Sequence, residues 1–140
     1  MESVAIYMSG CTQSDIEQHL SERYQRGADC WLVPTGVNDY ALYVRIYDEY
    51  PSELEPSELA AIREKVGGEI SCAVIADIRG SHYPAKSEVV TLVTGLLGTF
   101  RGIAQDEYGD QLWSLDDIKE DRAVQGQKLL AREVRSSKKE

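Results

Sequence analysis

The chain has 140 residues, of which 42% are apolar and 28% charged, a length and balance typical of one globular domain with a sizeable core. No apolar run approaches the ~20 residues of a membrane-spanning helix, and residues 1–3 lack the basic start of a secretory signal, so we expect a cytoplasmic protein. The net charge is −9: residues 1–60 hold 11 acids and 3 bases, whereas residues 118–140 hold 4 acids and 7 bases. An acidic body repels nucleic-acid phosphates and anionic membranes and attracts basic proteins, although it also serves solubility alone.

The first half of the chain predicts alternating strands and helices. Short apolar runs between Gly, Pro and Ser residues indicate strands, and apolar spacing of three to four residues indicates helices. In chain order we predict a strand at residues 4–8, a helix capped by Thr12 or Ser14 and running to about Tyr24, strands at 28–33 and 38–49, an acidic loop at 51–56, and a helix from Ser57 to Gly67. The turn residues Pro34-Thr35-Gly36 predict that the second and third strands form a hairpin.

The second half continues the alternation. In chain order we predict a strand at residues 69–78, a loop at 79–84, a helix at 85–100, strands at 102–106 and 111–113, and a helix that begins after Ser114. The strand at 69–78 has apolar residues on both faces, which is typical of a central, covered strand. Residues 1–135 thus form a single α/β domain, and we expect residues 136–140 to be a frayed basic tail.

The element order predicts a two-layer α/β (α+β) fold. The first six elements read β-α-β-β-α-β, which matches the ferredoxin-like plan, and the remaining elements add α-β-β-α. In that plan both helices cover one face of the sheet and leave the other face open. The later elements either extend the sheet or cover this open face.

The strand at residues 38–49 predicts a binding face. Leu42, Val44 and Ile46 point to one side, and Tyr43, Arg45 and Tyr47 point to the other, because strand side chains alternate. Tyrosine and arginine are enriched at binding hot spots. If the sheet is open on that side, these three side chains are offered to a partner.

Residues 106–117 combine acids with aromatic side chains. Their spacing does not fit a calcium loop, and we predict no metal or cofactor. As a contact surface, aromatic anchors among carboxylates suit a basic partner, although Trp113 fits the core equally well. The predicted contact residues in this segment are Asp106, Glu107, Tyr108, Asp110 and Trp113.

The sequence indicates a catalytic site less strongly than it indicates a binding face. Asp77, Arg79 and His82 lie where a strand ends and a helix begins, a place where α/β proteins form ligand sites, but these residues also suit ordinary turn contacts. Cys11 precedes a helix, which lowers the pKa of a thiol, but no base accompanies it. Three cysteines without paired spacing, with Cys30 and Cys72 inside apolar runs, indicate buried free thiols.

One segment carries a family resemblance. Residues 103–115 read IAQDEYGDQLWSL and follow a helix that ends Leu-Leu-x-x-Phe. This stretch resembles segments of small bacterial proteins that include immunity proteins of polymorphic or contact-dependent toxin systems, and the similarity covers about a third of the chain. The resemblance implies a cytosolic, non-enzymatic protein that binds and neutralises one toxin domain, and the acidic body suits the basic toxin nucleases.

Three functions therefore compete. The first is a protein-binding module, most sharply an immunity protein with a basic toxin domain as its partner. The second is a small enzyme that uses the strand-end cluster of Asp77, Arg79 and His82. The third is a homo-oligomeric small-ligand sensor, in which two open sheet faces stack as a homodimer.

Overall fold

The computed structural model describes residues 2–36, 38–82, 85–106 and 111–120. The predicted tail at residues 136–140 and the end of the predicted domain therefore lie outside the described residues. Among the described helices, none has both the length and the apolar character needed to cross a bilayer.

An antiparallel sheet of seven strands organises the described part of the chain. Its strands are β1 (Glu2–Ser9), β2 (Gln25–Arg26), β3 (Trp31–Pro34), β4 (Tyr40–Ile46), β5 (Cys72–Ile78), β6 (Arg101–Asp106) and β7 (Leu112–Trp113). Their order across the sheet is β2-β3-β4-β5-β1-β6-β7, and every adjacent pair is antiparallel. The predicted β3–β4 hairpin and the central position of residues 72–78 are confirmed.

Five helices flank the sheet in the described segments. They are α1 (Gln13–Arg23), α2 (Tyr50–Glu53), α3 (Pro56–Val66), α4 (Lys86–Thr99) and α5 (Leu115–Lys119). Thr12 and Ser114 cap α1 and α5 through reciprocal capping boxes, as their sequence patterns indicate. The predicted cap at Ser57 is wrong, because α3 begins one residue earlier at Pro56 and its N-cap is Glu55.

Both faces of the sheet carry a hydrophobic core. Val4, Ile6 and Met8 of β1 belong to a first core, which includes apolar residues of α1, α4 and α5. Ala5 and Tyr7 belong to a second core on the opposite face, which includes apolar residues of α3. The five residues at positions 4–8 of β1 are all buried, because the strand is covered on both sides.

The two-layer arrangement predicted from the element order is therefore wrong, and the ferredoxin-like topology is not confirmed. The coarser class, mixed α/β, is confirmed. Ile16 of α1 packs in the first core and Ile62 of α3 packs in the second, so the two helices lie on opposite faces. The sheet is thus the middle of three layers, and the apolar residues on both sides of β1 and β5 are the physical reason.

Candidate functional site

Within residues 2–36, 38–82, 85–106 and 111–120, no helix covers part of the second face of the sheet. Helix α3 packs across β1 and β6, whereas five side chains of β3, β4 and β5 on this face are only half-buried. We call this region the open patch; it consists of Leu32, Tyr43, Arg45, Ile75 and Asp77. Two of the predicted partner-binding residues, Tyr43 and Arg45, are among them.

The strand register arranges the open patch in two rows. Leu32, Tyr43 and Asp77 are direct neighbours across β3, β4 and β5, and the Ser3 hydroxyl of β1 donates a hydrogen bond to Asp77 Oδ1 over 2.6 Å. Arg45 lies opposite Ile75 in the second row. Directly opposed side chains on antiparallel strands share a face, so these residues form one continuous surface.

A three-tyrosine cluster borders the open patch. The rings of Tyr7, Tyr47 and Tyr50 contact one another with centroid separations of 6.0 to 6.3 Å. The Tyr47 hydroxyl donates to Glu53 Oε1 over 2.6 Å, and Tyr47 is only 6% exposed. Burial first, and then the hydrogen bond to Glu53, raises the pKa of Tyr47 well above its ordinary value. The side chain of Tyr47 is therefore part of the second core, and the predicted exposure of this residue is wrong because α2 covers it.

A groove lies beyond this cluster on the same face. It has a volume of about 350 Å³ and runs between α3 and strands β6 and β7. Its lining residues are Glu55, Ser57, Glu58, Ala61, Ile62, Gln105 and Leu112. We call it the acidic groove, because its two charged side chains are glutamates.

Gln105 forms the polar floor of the acidic groove. This β6 side chain is buried, and its Oε1 accepts a hydrogen bond from the Tyr7 hydroxyl over 3.3 Å. The register continues the second row of the patch as Arg45, Ile75, Ala5, Gln105 and Leu112. Arg45 and Gln105 are three strand spacings apart, about 14 Å, so the open patch and the acidic groove fit within one protein contact.

The surface around both features is acidic. Residues 48–58 contain Asp48, Glu49, Glu53, Glu55 and Glu58 without a base, and Arg45 is the only Lys or Arg between residues 27 and 62. Glu49 pairs with Arg45 over 3.1 Å. Hydrogen bonds from its own backbone amide and from Arg45 lower the pKa of Glu49, so its charge persists below the ordinary range. The pairing leaves the region with excess negative charge.

The predicted contact segment near β7 has a different outcome. Trp113 is 1% exposed and belongs to the first core. Of the two positions that the sequence allowed for this residue, the structure shows the core position. Asp106 is 4% exposed. Neither side chain forms surface. Glu107, Tyr108 and Asp110 lie outside the described residues, and their partner role stays a prediction.

The predicted strand-end cluster is arranged differently from the expectation. Arg79 and His82 both contact Asp39, with Arg79 at 2.8 Å from Oδ1 and His82 Nε2 at 2.9 Å from Oδ2. Asp77 instead pairs with Ser3 on the second face. The hydrogen bond from the Tyr40 amide, and then the charges of His82 and Arg79, lower the pKa of Asp39. The grouping of Asp77 with Arg79 and His82 is therefore corrected to Asp39, Arg79 and His82, which ties two loops together.

The thiol of Cys11 does not have the activated state expected of a nucleophile. Burial raises its pKa, and the hydrogen bond with Ser71 only partly offsets this effect. A raised pKa leaves little thiolate at neutral pH. The interpretation of Cys11 as a thiolate nucleophile is thus not supported by its environment.

Sequence reasoning missed the acidic groove and the role of Asp39. Gln105 is a buried polar residue of β6, and its position beside α3 depends on the order of strands in the sheet. The available signal was the alternation in residues 101–106, which places Gln105 on the face opposite Ala104. Asp39 carried no signal, because its two partners are about 40 residues away along the chain.

No family model matches the chain. No curated protein and no solved structure matches it either.

Proposed function

We propose that this chain is a protein-binding module whose open patch and acidic groove bind one basic protein partner. The observation that carries the proposal is the row from Arg45 to Leu112. It joins a half-exposed aromatic and cationic patch to an acidic groove on one face of a rigid sheet. Tyr and Arg side chains supply the anchors that interfaces favour, and the groove offers carboxylates to a Lys or Arg of the partner.

The acidic charge supports a basic partner in particular. Residues 1–60 hold 11 acids and 3 bases, and the segment 48–58 concentrates five of those acids beside the groove. Opposite charges steer the encounter of two proteins and raise the association rate at low salt. Binding should therefore weaken as salt increases, chiefly through slower association.

In its sharpest form, the proposal is an immunity protein that neutralises a toxin domain in the cytoplasm. Two features support it: the acidic surface, which suits a basic nuclease, and the resemblance of residues 103–115 to immunity-type proteins. A tight inhibitor needs a preformed surface, and the open patch sits on three paired strands rather than on a loop.

The test is purification of the chain from its host at two salt concentrations, followed by affinity measurements with the partner that accompanies it. We expect one stoichiometric basic protein. Replacing Tyr43 and Arg45 with alanine should cost more than ~2 kcal/mol of binding without unfolding the domain. Glu55→Gln in the groove should slow association.

The matched control changes charge on the opposite layer. Glu17 and Glu22 lie on α1, which covers the first face of the sheet, so replacing both with glutamine should leave affinity unchanged apart from a small loss of steering. A partner that binds the Tyr43/Arg45 variant as tightly as the wild type contradicts the proposed surface. The lack of any stoichiometric basic partner contradicts the proposed function.

A homodimer is the second candidate, favoured by the half-exposed Leu32 and Ile75 in the open patch. Two such patches would stack around a two-fold axis. Light scattering of the pure protein separates the two candidates, since a monomer at micromolar concentration leaves the open patch for a different protein.

A further inference from the structure

Two of the three cysteines meet at one corner of the first core. Cys11 follows the end of β1, and Cys72 is the first residue of β5, opposite Met8. The Cys72 Sγ lies 3.9 Å from the Cys11 carbonyl oxygen. This proximity cannot be predicted from the sequence, because 61 residues separate the two positions.

Backbone contacts hold the corner in place. The Ser71 amide donates to the Met8 carbonyl over 2.8 Å, and the Cys11 amide donates to the Ser71 hydroxyl over 3.2 Å. Gly10, with φ of +75°, supplies the turn that brings Cys11 back toward β5. The two thiols are therefore fixed as neighbours rather than brought together by chance.

The environment of the two thiols makes their oxidation slow but favours the disulfide once it has formed. Burial first, and then the neighbouring Cys11 thiol, which shares a hydrogen bond with it, together raise the pKa of Cys72 to about 11. A dithiol whose thiolate is not stabilised is a stronger reductant than a low-pKa pair, so its disulfide is comparatively favoured once formed. Each residue is 7% exposed, which leaves a narrow path for a small reagent.

We propose that Cys11 and Cys72 form an oxidisable dithiol that closes to an intramolecular disulfide in the presence of a low-molecular-weight disulfide such as oxidised glutathione. One thiol loses its proton and attacks a sulfur of glutathione disulfide. This forms a mixed disulfide and releases one glutathione. The second thiol, as thiolate, attacks the protein sulfur of the mixed disulfide and releases the second glutathione. Two protein thiols are oxidised, one glutathione disulfide is reduced to two thiols, and the β1–α1 turn becomes bonded to β5.

The test oxidises the reduced full-length chain with glutathione disulfide at pH 8 and measures intact mass and non-reduced peptides. We expect a mass loss of about 2 Da and one linked pair of peptides that contain Cys11 and Cys72. The thermal midpoint should rise by about 10 °C, because the bond closes a long loop of the unfolded chain.

The third cysteine provides the matched control. Cys30 is half-buried and takes no part in the proposed disulfide. Cys30→Ser should therefore still lose about 2 Da, whereas Cys11→Ser and Cys72→Ser should each stop at a glutathione adduct. The proposal is overturned if the wild type shows no mass loss, if the link involves Cys30, or if the product is an intermolecular dimer. Because the wild type alone decides these outcomes, the test does not depend on how well the serine variants fold.

Discussion

Gly102 offers the sharpest test of the packing between β1 and β6. It lies opposite Met8 in the strand pair, and a methyl group added there would overlap the Tyr7 carbonyl oxygen. The same methyl group would lie 2.9 Å from Leu97 Cδ2 and 2.9 Å from Met8 Cγ. A side chain can rotate away, but a backbone carbonyl in a central strand cannot move without disturbing the ladder.

We therefore expect Gly102→Ala to destabilise the domain by about 3 kcal/mol, the upper part of the range for overpacked cores. For a chain of this size the thermal midpoint should fall by about 10 °C. Urea unfolding followed by tryptophan fluorescence measures this free energy, because Trp31 and Trp113 are both buried in the first core.

Gly98→Ala is the matched control. Gly98 lies near the end of α4, and an added methyl group would meet no atom outside its own helix backbone and chain neighbours within 4 Å. Alanine favours a helix over glycine, so we expect a gain of about 0.5 kcal/mol. Equal unfolding free energies for the wild type and Gly102→Ala would refute the close approach of β6 to β1.

Three further predictions concern single side chains. His19 is 5% exposed, and its pKa is lowered by burial first and then by the charge of Arg23, which Glu22 partly opposes. The unfolded chain therefore takes up a proton at a higher pH than the folded chain, and the free energy of unfolding should fall as the pH drops below about 6.5. Chemical denaturation at several pH values should show a smaller slope for His19→Leu. Thr12→Ala should cost about 1 kcal/mol of unfolding free energy, whereas Ser14→Ala should change it little, because Thr12 is the cap of α1. Tyr47→Phe should cost about 1 kcal/mol, because it removes the hydrogen bond to Glu53 at the exposed edge of α2.

Each of these has an outcome that would count against the structure. An unchanged pH slope in His19→Leu would show that this histidine is not buried as a neutral group. If Ser14→Ala lowers the unfolding free energy more than Thr12→Ala does, α1 does not begin after Thr12. If Tyr47→Phe has the same unfolding free energy as the wild type, α2 does not cover the tyrosine cluster.

The sequence predicted local structure well because its signals act over a few residues. The pairs Thr12 with Asp15 and Ser114 with Asp117 are capping patterns that need no tertiary information, and both caps are present. The alternation of Leu42 and Val44 with Tyr43 fixed the faces of β4 in the same way.

The arrangement of layers could not be predicted because it depends on long-range pairing. The apolar residues of β1 on both faces are compatible with several neighbours, and only the observed order shows that α1 and α3 lie on opposite sides. The same alternation that exposes Tyr43 would expose Tyr47. The difference between them comes from α2, a four-residue helix of which three residues lie in the segment predicted as a loop.

The candidate site was partly predictable for the same reason. Tyr43 and Arg45 follow from the pattern of one strand, and the structure leaves both half-buried. Gln105 joins them only because β5 and β1 lie between β4 and β6. A long-range register of this kind leaves no trace in a single sequence.

The most direct test of the central claim is a chemical-shift map of the isotopically labelled protein titrated with a decalysine peptide. We expect the largest shifts at Tyr43, Arg45, Glu58, Gln105 and Leu112, with smaller changes along α1, although α1 also carries acids. Uniform shifts over all acidic surfaces, or shifts concentrated on α1, would contradict the claim that the open patch and the acidic groove form one binding surface.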